Sequence, residues 1–244
     1  MVRRGITAAI LILLACLSIW AAGKKEKPKE FESWLVYQNS KTDDVGYVHI
    51  IQKPSEDKKA PWVVIVEERI CKGGKSVPVD LILFAKDNRY LTPVRFVCQG
   101  GGSGGGMFSA EVNDGKIEAR AGRKKIEREM PENTAPFMAL FRIVEDLPFD
   151  KNKVFKFSCL RSTSLKVGKN QKIEYEGKKK VDPGNREIKL HQFLYSDKDG
   201  KIGYFWLDDN HRLISALIAG RETFTRTTPK RARQVVEECL DVAH

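Results

Sequence analysis

Few of the residues that catalysis and metal binding draw on are present in this chain. It has four histidines in 244 residues, His49, His191, His211 and His244, with no recognisable ligand spacing among them. Its five cysteines include no C-x-x-C, which argues against a metal knuckle. No two carboxylates stand out as the pair that glycoside hydrolysis requires. No period of 20–50 residues repeats clearly enough to indicate a solenoid or propeller. Nothing in the sequence calls for a cofactor or a metal, and the balance favours a non-enzyme without excluding an enzyme.

What is present begins with an export pattern. Arg3 and Arg4 precede an almost wholly apolar stretch over residues 6–22, and Ala21 and Gly23 offer a small-residue cleavage site before Lys24. That describes a signal peptide over residues 1–23. Two other readings stay open. Leu13-Leu14-Ala15-Cys16 resembles a bacterial lipobox, with Cys16 as the lipidated residue, although the chain after it stays apolar. The stretch is also nearly long enough to remain as an uncleaved anchor. All three readings put the body outside the cytoplasm, in the periplasm or cell envelope. Residues 24–30 form a Lys-rich tether, and residues 31–244 have the length of one domain with a sizeable core.

Of 43 basic residues, 41 lie beyond Arg3 and Arg4 and face 32 acidic ones, a net charge of +9. In an exported chain this excess suits an anionic membrane surface, a wall polymer or an acidic envelope protein rather than nucleic acid. It equally describes an ordinary solvated surface. Export also permits disulfides among Cys71, Cys98, Cys159 and Cys239. If 61–72, 76–86 and 91–98 form a meander, Cys71 and Cys98 sit two strands apart, about 9–10 Å. A disulfide spans at most about 7 Å, so no Cys71–Cys98 bridge is expected.

Strand signals dominate the rest. Segments 46–52, 61–72, 77–86 and 90–98 are rich in β-branched and aromatic residues, with turns at Gly73-Gly74 and Asp87-Asn88. Residues 108–112 and 116–119 flank Asn113-Asp114-Gly115, a hairpin turn. The style continues at 154–158, 172–175, 187–195, 201–207, 212–219 and 222–226. Such density with short connections predicts an antiparallel meander.

Two helices interrupt it. The first spans about 134–145, capped by Asn133 or Thr134 and stopped by Pro148. Phe137, Leu140, Phe141 and Val144 share one face, which Met138 and Ile143 widen. So broad an apolar surface belongs inside a curved sheet. The second spans about 229–242, with Thr228 as cap and Pro229 at its first position. Its charges oppose the helix dipole, and an Arg233–Glu237 pair on the solvated face is expected. The fold class is therefore mainly β, a strongly curved antiparallel half-barrel with a central apolar helix and a C-terminal one.

Two glycine motifs invite catalytic readings. Residues 101–105, Gly-Gly-Ser-Gly-Gly, satisfy the G-x-S-x-G of a nucleophile elbow around Ser103, and Gly100, Gly102 and Gly105 satisfy G-x-G-x-x-G. Both motifs need a helix next. Residues 107–112 instead alternate and read as a strand, so a strand-to-strand connection is the favoured reading. Gly73-Gly74-Lys75-Ser76 mimics a P-loop but has Arg69 where the first glycine belongs, and reads as a hairpin turn. Asp208-Asp209-Asn210-His211 carries acid-base residues, yet Asp and Asn are also what a tight turn needs.

Three segments carry a family resemblance: 34–52 (WLVYQNSKTDDVGYVHIIQ), 83–97 (LFAKDNRYLTPVRFV) and 204–219 (YFWLDDNHRLISALIA). Together they resemble uncharacterised bacterial envelope domains related to the Lol lipoprotein-carrier superfamily. The resemblance implies a curved half-barrel with helices on its concave side, where Lol carriers hold acyl chains. On this reading the protein is a non-catalytic binder of an apolar ligand, a lipid or an envelope partner. The expected lining is Phe137, Leu140, Phe141 and Val144, with Phe205 or Trp206 from the sheet; the competing expectation is that they form the core. The alternatives are an envelope hydrolase using Ser103 or the Asp208/His211 turn, and a structural wall- or membrane-associated protein.

Overall fold

The computed structural model describes residues 30–100, 106–122, 124–181 and 187–241. Alternating apolar and polar residues build one sheet of fifteen strands among them. In chain order these are β1 (Phe31–Asn39), β2 (Val45–Pro54), β3 (Trp62–Lys72), β4 (Lys75–Ala85), β5 (Pro93–Gly100), β6 (Met107–Asn113), β7 (Lys116–Ala121) and β8 (Lys124–Glu129). Then come β9 (Thr134–Pro136), β10 (Val154–Arg161), β11 (Lys166–Val181), β12 (Ile188–Asp197), β13 (Gly200–Leu207), β14 (Leu213–Ile218) and β15 (Glu222–Arg226). The spatial order is β8-β7-β6-β5-β4-β3-β2-β1-β15-β14-β13-β12-β11-β10-β9. Two meanders thus join where β1 pairs with β15, Tyr37 opposite Phe224.

The sheet curves without closing. Its edges are β8, which blunts further pairing with charged residues, and the three-residue β9. The segment between them straps the gap. Met130 N–H donates to Gly115 O, Thr92 Oγ1 to Glu132 O, and Ser158 N–H to Asn133 O.

The helix expected over 134–145 begins later. Residues 134–136 pair in parallel with Ser158–Leu160, and the Thr134 hydroxyl donates to Pro131 O instead of capping a helix. Ala135 precedes Pro136, whose ring disfavours helical backbone at the residue before it. The helical segment α1 therefore occupies 137–146, a four-residue α turn flanked by 3₁₀ turns. It ends at Leu147, extended before Pro148. Its apolar surface does lie inside the curved sheet, as the width of the stripe predicts. There it joins a continuous core with Leu35, Ile50, Phe96, Phe193 and Phe205.

The second helix, α2 (Pro229–Asp241), lies on the other face. Thr228 Oγ1 accepts from Arg231 N–H at its start. Ala232, Val236 and Leu240 cover Trp34 and Tyr47, which alternate with the inward Leu35 and Val48. The ion pair on this helix is Arg231–Glu238 (2.8 Å) rather than Arg233–Glu237, and Arg233 lies over the Trp34 ring. A disulfide from Cys71 to Cys239 fastens α2 to β3, while Cys98 and Cys159 are free and buried. Cys71 and Cys98 do not bridge, as expected. They point to opposite faces, Cys71 beneath α2 and Cys98 into the main core.

The disulfide spans 168 residues, so it restricts the unfolded chain strongly. Cys239→Ser is expected to lower unfolding stability by about 3–5 kcal/mol in denaturant titrations. The far-ultraviolet circular dichroism of the sheet should persist at low denaturant. Loss of the sheet would instead make α2 necessary for folding.

Candidate functional site

The middle of α1 fills the concavity and its ends do not. Leu140, Phe141 and Val144 are wholly buried, and the Phe141 ring lies 4.9 Å from that of Phe224 and 6.0 Å from that of Phe205 between centroids. Beyond the C-terminal end of α1 a recess of about 410 Å³ is lined by Ile143, Leu147, Pro148, Val154, Phe155, Ile173 and Phe193. Arg89, Lys153 and Asp146 also line it, and all three are exposed. At the N-terminal end a second recess, about 170 Å³, lies against Phe137 and Met138. It takes Tyr37, Val48, Ile70, Val79, Leu81 and Phe224 from the inner face. Arg161 at the end of β10, Ser162 and Thr163 from the β10–β11 connection, and Glu222 complete it.

One residue in the smaller recess departs from the apolar pattern. β3 alternates, so Glu68, between the inward Val66 and Ile70, points inward with them. It is 9% exposed, and among the described residues no hydrogen bond or ion pair reaches its carboxyl. Burial, helped by the charge of Glu222, pushes its pKa up to about 7. Glu68 is not among the residues that sequence reasoning singles out. The signal that could have found it is a carboxylate at an inward position of an otherwise apolar strand.

α1 is held by a second, partly buried carboxylate. Glu145 Oε1 accepts from Leu213 N–H (2.8 Å) and from Arg226 Nη1 (3.0 Å), binding the helix to β14 and β15. Burial raises its pKa, while the hydrogen bond from Leu213 and the charge of Arg226 act against that rise.

The residues expected to line a ligand site are divided by this arrangement. Phe137 lines the smaller recess. Leu140, Phe141, Val144 and Phe205 form the packed core between the two recesses. Trp206 is on the outer face, because it alternates with Phe205. Its Nε1–H donates to Gln192 Oε1 (2.8 Å), and its ring packs on Tyr204. Cys16, Ser103 and His244 lie outside the described residues. The glycine run is flanked by paired strands, Cys98 opposite Phe108 and Gln99 opposite Met107, so the element after it is a strand and not a helix. Gly100 has φ of +78°, and a side chain there would collide with the Pro78 carbonyl.

The Asp208–His211 turn is braced by its own side chain. Asp208 Oδ1 accepts from Asn210 N–H and Arg212 N–H, which makes it the turn's own brace. His211 sits at φ +58° and stacks on Phe149, whose other face stacks on His191. It is Asp209 that reaches a histidine. Its Oδ1 lies 2.9 Å from His191 Nε2, and His191 Nδ1 lies 2.7 Å from Tyr175 Oη. With the proton on Nε2 shared with Asp209, Nδ1 accepts the Tyr175 proton, and burial raises the Tyr175 pKa. The chain clasps Phe149, and with it the end of α1, onto β12. Among the described residues there is no cluster of three or more metal-ligating groups, and no helix is long and apolar enough to cross a membrane.

A folded-state pKa of about 7 against an ordinary 4.5 means that the native protein holds a proton on Glu68 which the unfolded chain has released. Stability therefore falls as pH rises through that interval and stays reduced above it. Glu68→Gln is expected to raise the unfolding free energy by about 3 kcal/mol at pH 8 and to leave it unchanged near pH 4. Urea titrations at the two pH values measure this; equal effects at both would contradict the assignment.

No family model matches the chain, and no curated protein does. Among solved structures it is similar to the crystal structure of a beta-barrel-like protein of the domain of unknown function DUF1849 from Brucella abortus. The match has a TM-score of 0.49 and 11% identity, and covers 83% of this chain and 97% of that one. The likeness is one of shape alone.

Proposed function

We propose that the protein is a non-catalytic, extracytoplasmic binding protein that takes an apolar molecule between the inner face of its sheet and α1. The observation carrying this reading is the pair of apolar recesses that α1 leaves at its ends, about 410 Å³ and 170 Å³. The larger has the size of ordinary small-molecule sites. The resemblance to the Lol carriers supports the reading by analogy of fold, which carries no function by itself. The export pattern at residues 1–23 supports an extracytoplasmic location, and so does the Cys71–Cys239 disulfide, since such bonds persist in oxidising compartments. The basic excess supports contact with an anionic membrane surface or an envelope protein.

Uptake of an uncharged apolar fluorophore such as N-phenylnaphthylamine tests the reading. Saturable enhancement at one or two sites per chain is expected. Leu147→Asp places a carboxylate in the larger recess and is expected to weaken uptake about tenfold or more, with melting curves confirming that the variant folds. Absence of saturable uptake by the wild type would overturn the proposal.

A further inference from the structure

The smaller recess is mainly apolar, with two hydroxyl residues, Ser162 and Thr163, and a set of titratable groups whose arrangement is selective. Glu68 enters from β3 and Glu222 from β15, both on the inner face. The Glu68 carboxyl has no internal partner among the described residues, although it is almost wholly buried and borders the empty volume. An unpaired acid in such a place costs stability, so the recess is not simply an imperfection of packing. The other polar groups facing it do not neutralise it. Tyr37 Oη accepts from Asn39 Nδ2, and Ser162 and Thr163 are uncharged. The free thiol of Cys98 on β5 is nearby, and its pKa is raised by burial and by the charge of Glu68. Arg161 is exposed, with its guanidinium over the Phe137 ring rather than paired with either carboxylate.

From this geometry we infer that the recess at the N-terminal end of α1 binds an organic ammonium group, with Glu68 as its direct partner and Glu222 adding charge. The inference rests on the proposed binding of an apolar ligand in the concavity and names the polar end of that ligand. The ligand is a small primary alkylamine or the amine end of a larger molecule. The apolar walls of Val48, Val79, Leu81 and Phe224 take the carbon adjoining the nitrogen. A cavity near 150 Å³ holds a molecule of about benzene's size, so a head with several carbons fits. Two carboxylates exclude an anionic head by repulsion, and a neutral head leaves Glu68 unsatisfied when it is ionised.

Calorimetric titration of the folded protein with hexylamine, hexanol and hexanoate separates these classes. Hexylamine is expected to bind at least about tenfold more tightly than hexanol at pH 8, with hexanoate weakest. Its affinity should fall as pH drops from 8 to 5.5, because the acid facing it takes up a proton. Glu68→Gln should remove the preference for hexylamine while leaving hexanol within about twofold. Glu222→Gln should weaken hexylamine more modestly, and Arg161→Gln should leave it unchanged or tighter. A short-chain phosphatidylethanolamine tested against the phosphatidylglycerol of the same chains identifies the source. Binding of the former places the amine on a lipid head; binding of hexylamine alone assigns a free amine. Equal binding of hexylamine and hexanol overturns the inference and leaves the apolar reading standing. Tighter hexanoate, or loss of binding in Arg161→Gln, also overturns it. If neither hexylamine nor hexanol binds and the apolar fluorophore is not taken up, both readings fail.

Discussion

A curved antiparallel sheet whose edges never meet must cover its own concave face, and here ten residues of irregular helix do so. Phe141 is the contact on which the arrangement turns. Its ring meets Phe224 on β15, the strand at the seam between the meanders, and Phe205 on β13, two strands further on, and burying a side chain of that size contributes about 2–3 kcal/mol. Position along the sheet is set by polar contacts. Glu145 accepts from Leu213 and Arg226, and the Tyr175–His191–Asp209 chain clamps Phe149 just beyond the helix. Because α1 is short and fixed at its middle and end, it cannot fill the whole length of the concavity. The two recesses result from that geometry.

The recesses differ in charge, since they draw on different parts of the sheet. The larger has Arg89 and Lys153 among its exposed lining, with Asp146. The smaller has Glu68 and Glu222, with Arg161 exposed beside them. The closed middle, Leu140, Phe141 and Val144 against Phe205, separates the two. This core is packed independently of what the two ends hold.

Much of the fold was legible because strands announce themselves locally. The alternation in β2 to β5, the Asn-Asp-Gly hairpin and the Thr228-Pro229 helix start are all short-range signals. The width of the apolar stripe on α1 even predicted its burial inside the sheet. The start of α1 was misleading because Thr134 has the chemistry of a cap, whereas strand pairing with β10 and the constraint of Ala135-Pro136 decide its conformation. Cys71–Cys239 was illegible, since it depends on α2 crossing the outer face of β3, a contact between residues 168 apart. The site was less legible still. Periodicity identifies which residues of α1 are buried, but it cannot separate Phe137 at a recess from Phe141 in the packed core. Trp206 could have been separated from Phe205 by alternation alone. The partnership of Asp209 with His191 depends on the register of β12 against β13, which no local pattern encodes.

On the proposed function, ligand enters at the ends of α1 and not through its packed middle. Methyl-resolved NMR during titration with an apolar ligand tests this most directly, because Met138 lines one recess, Ile173 the other, and Ile117 neither. Saturable shifts of the Met138 or Ile173 methyls are expected, with Ile117 unchanged. Shifts spread evenly over all three, or none at saturating ligand, would contradict binding at the helix ends.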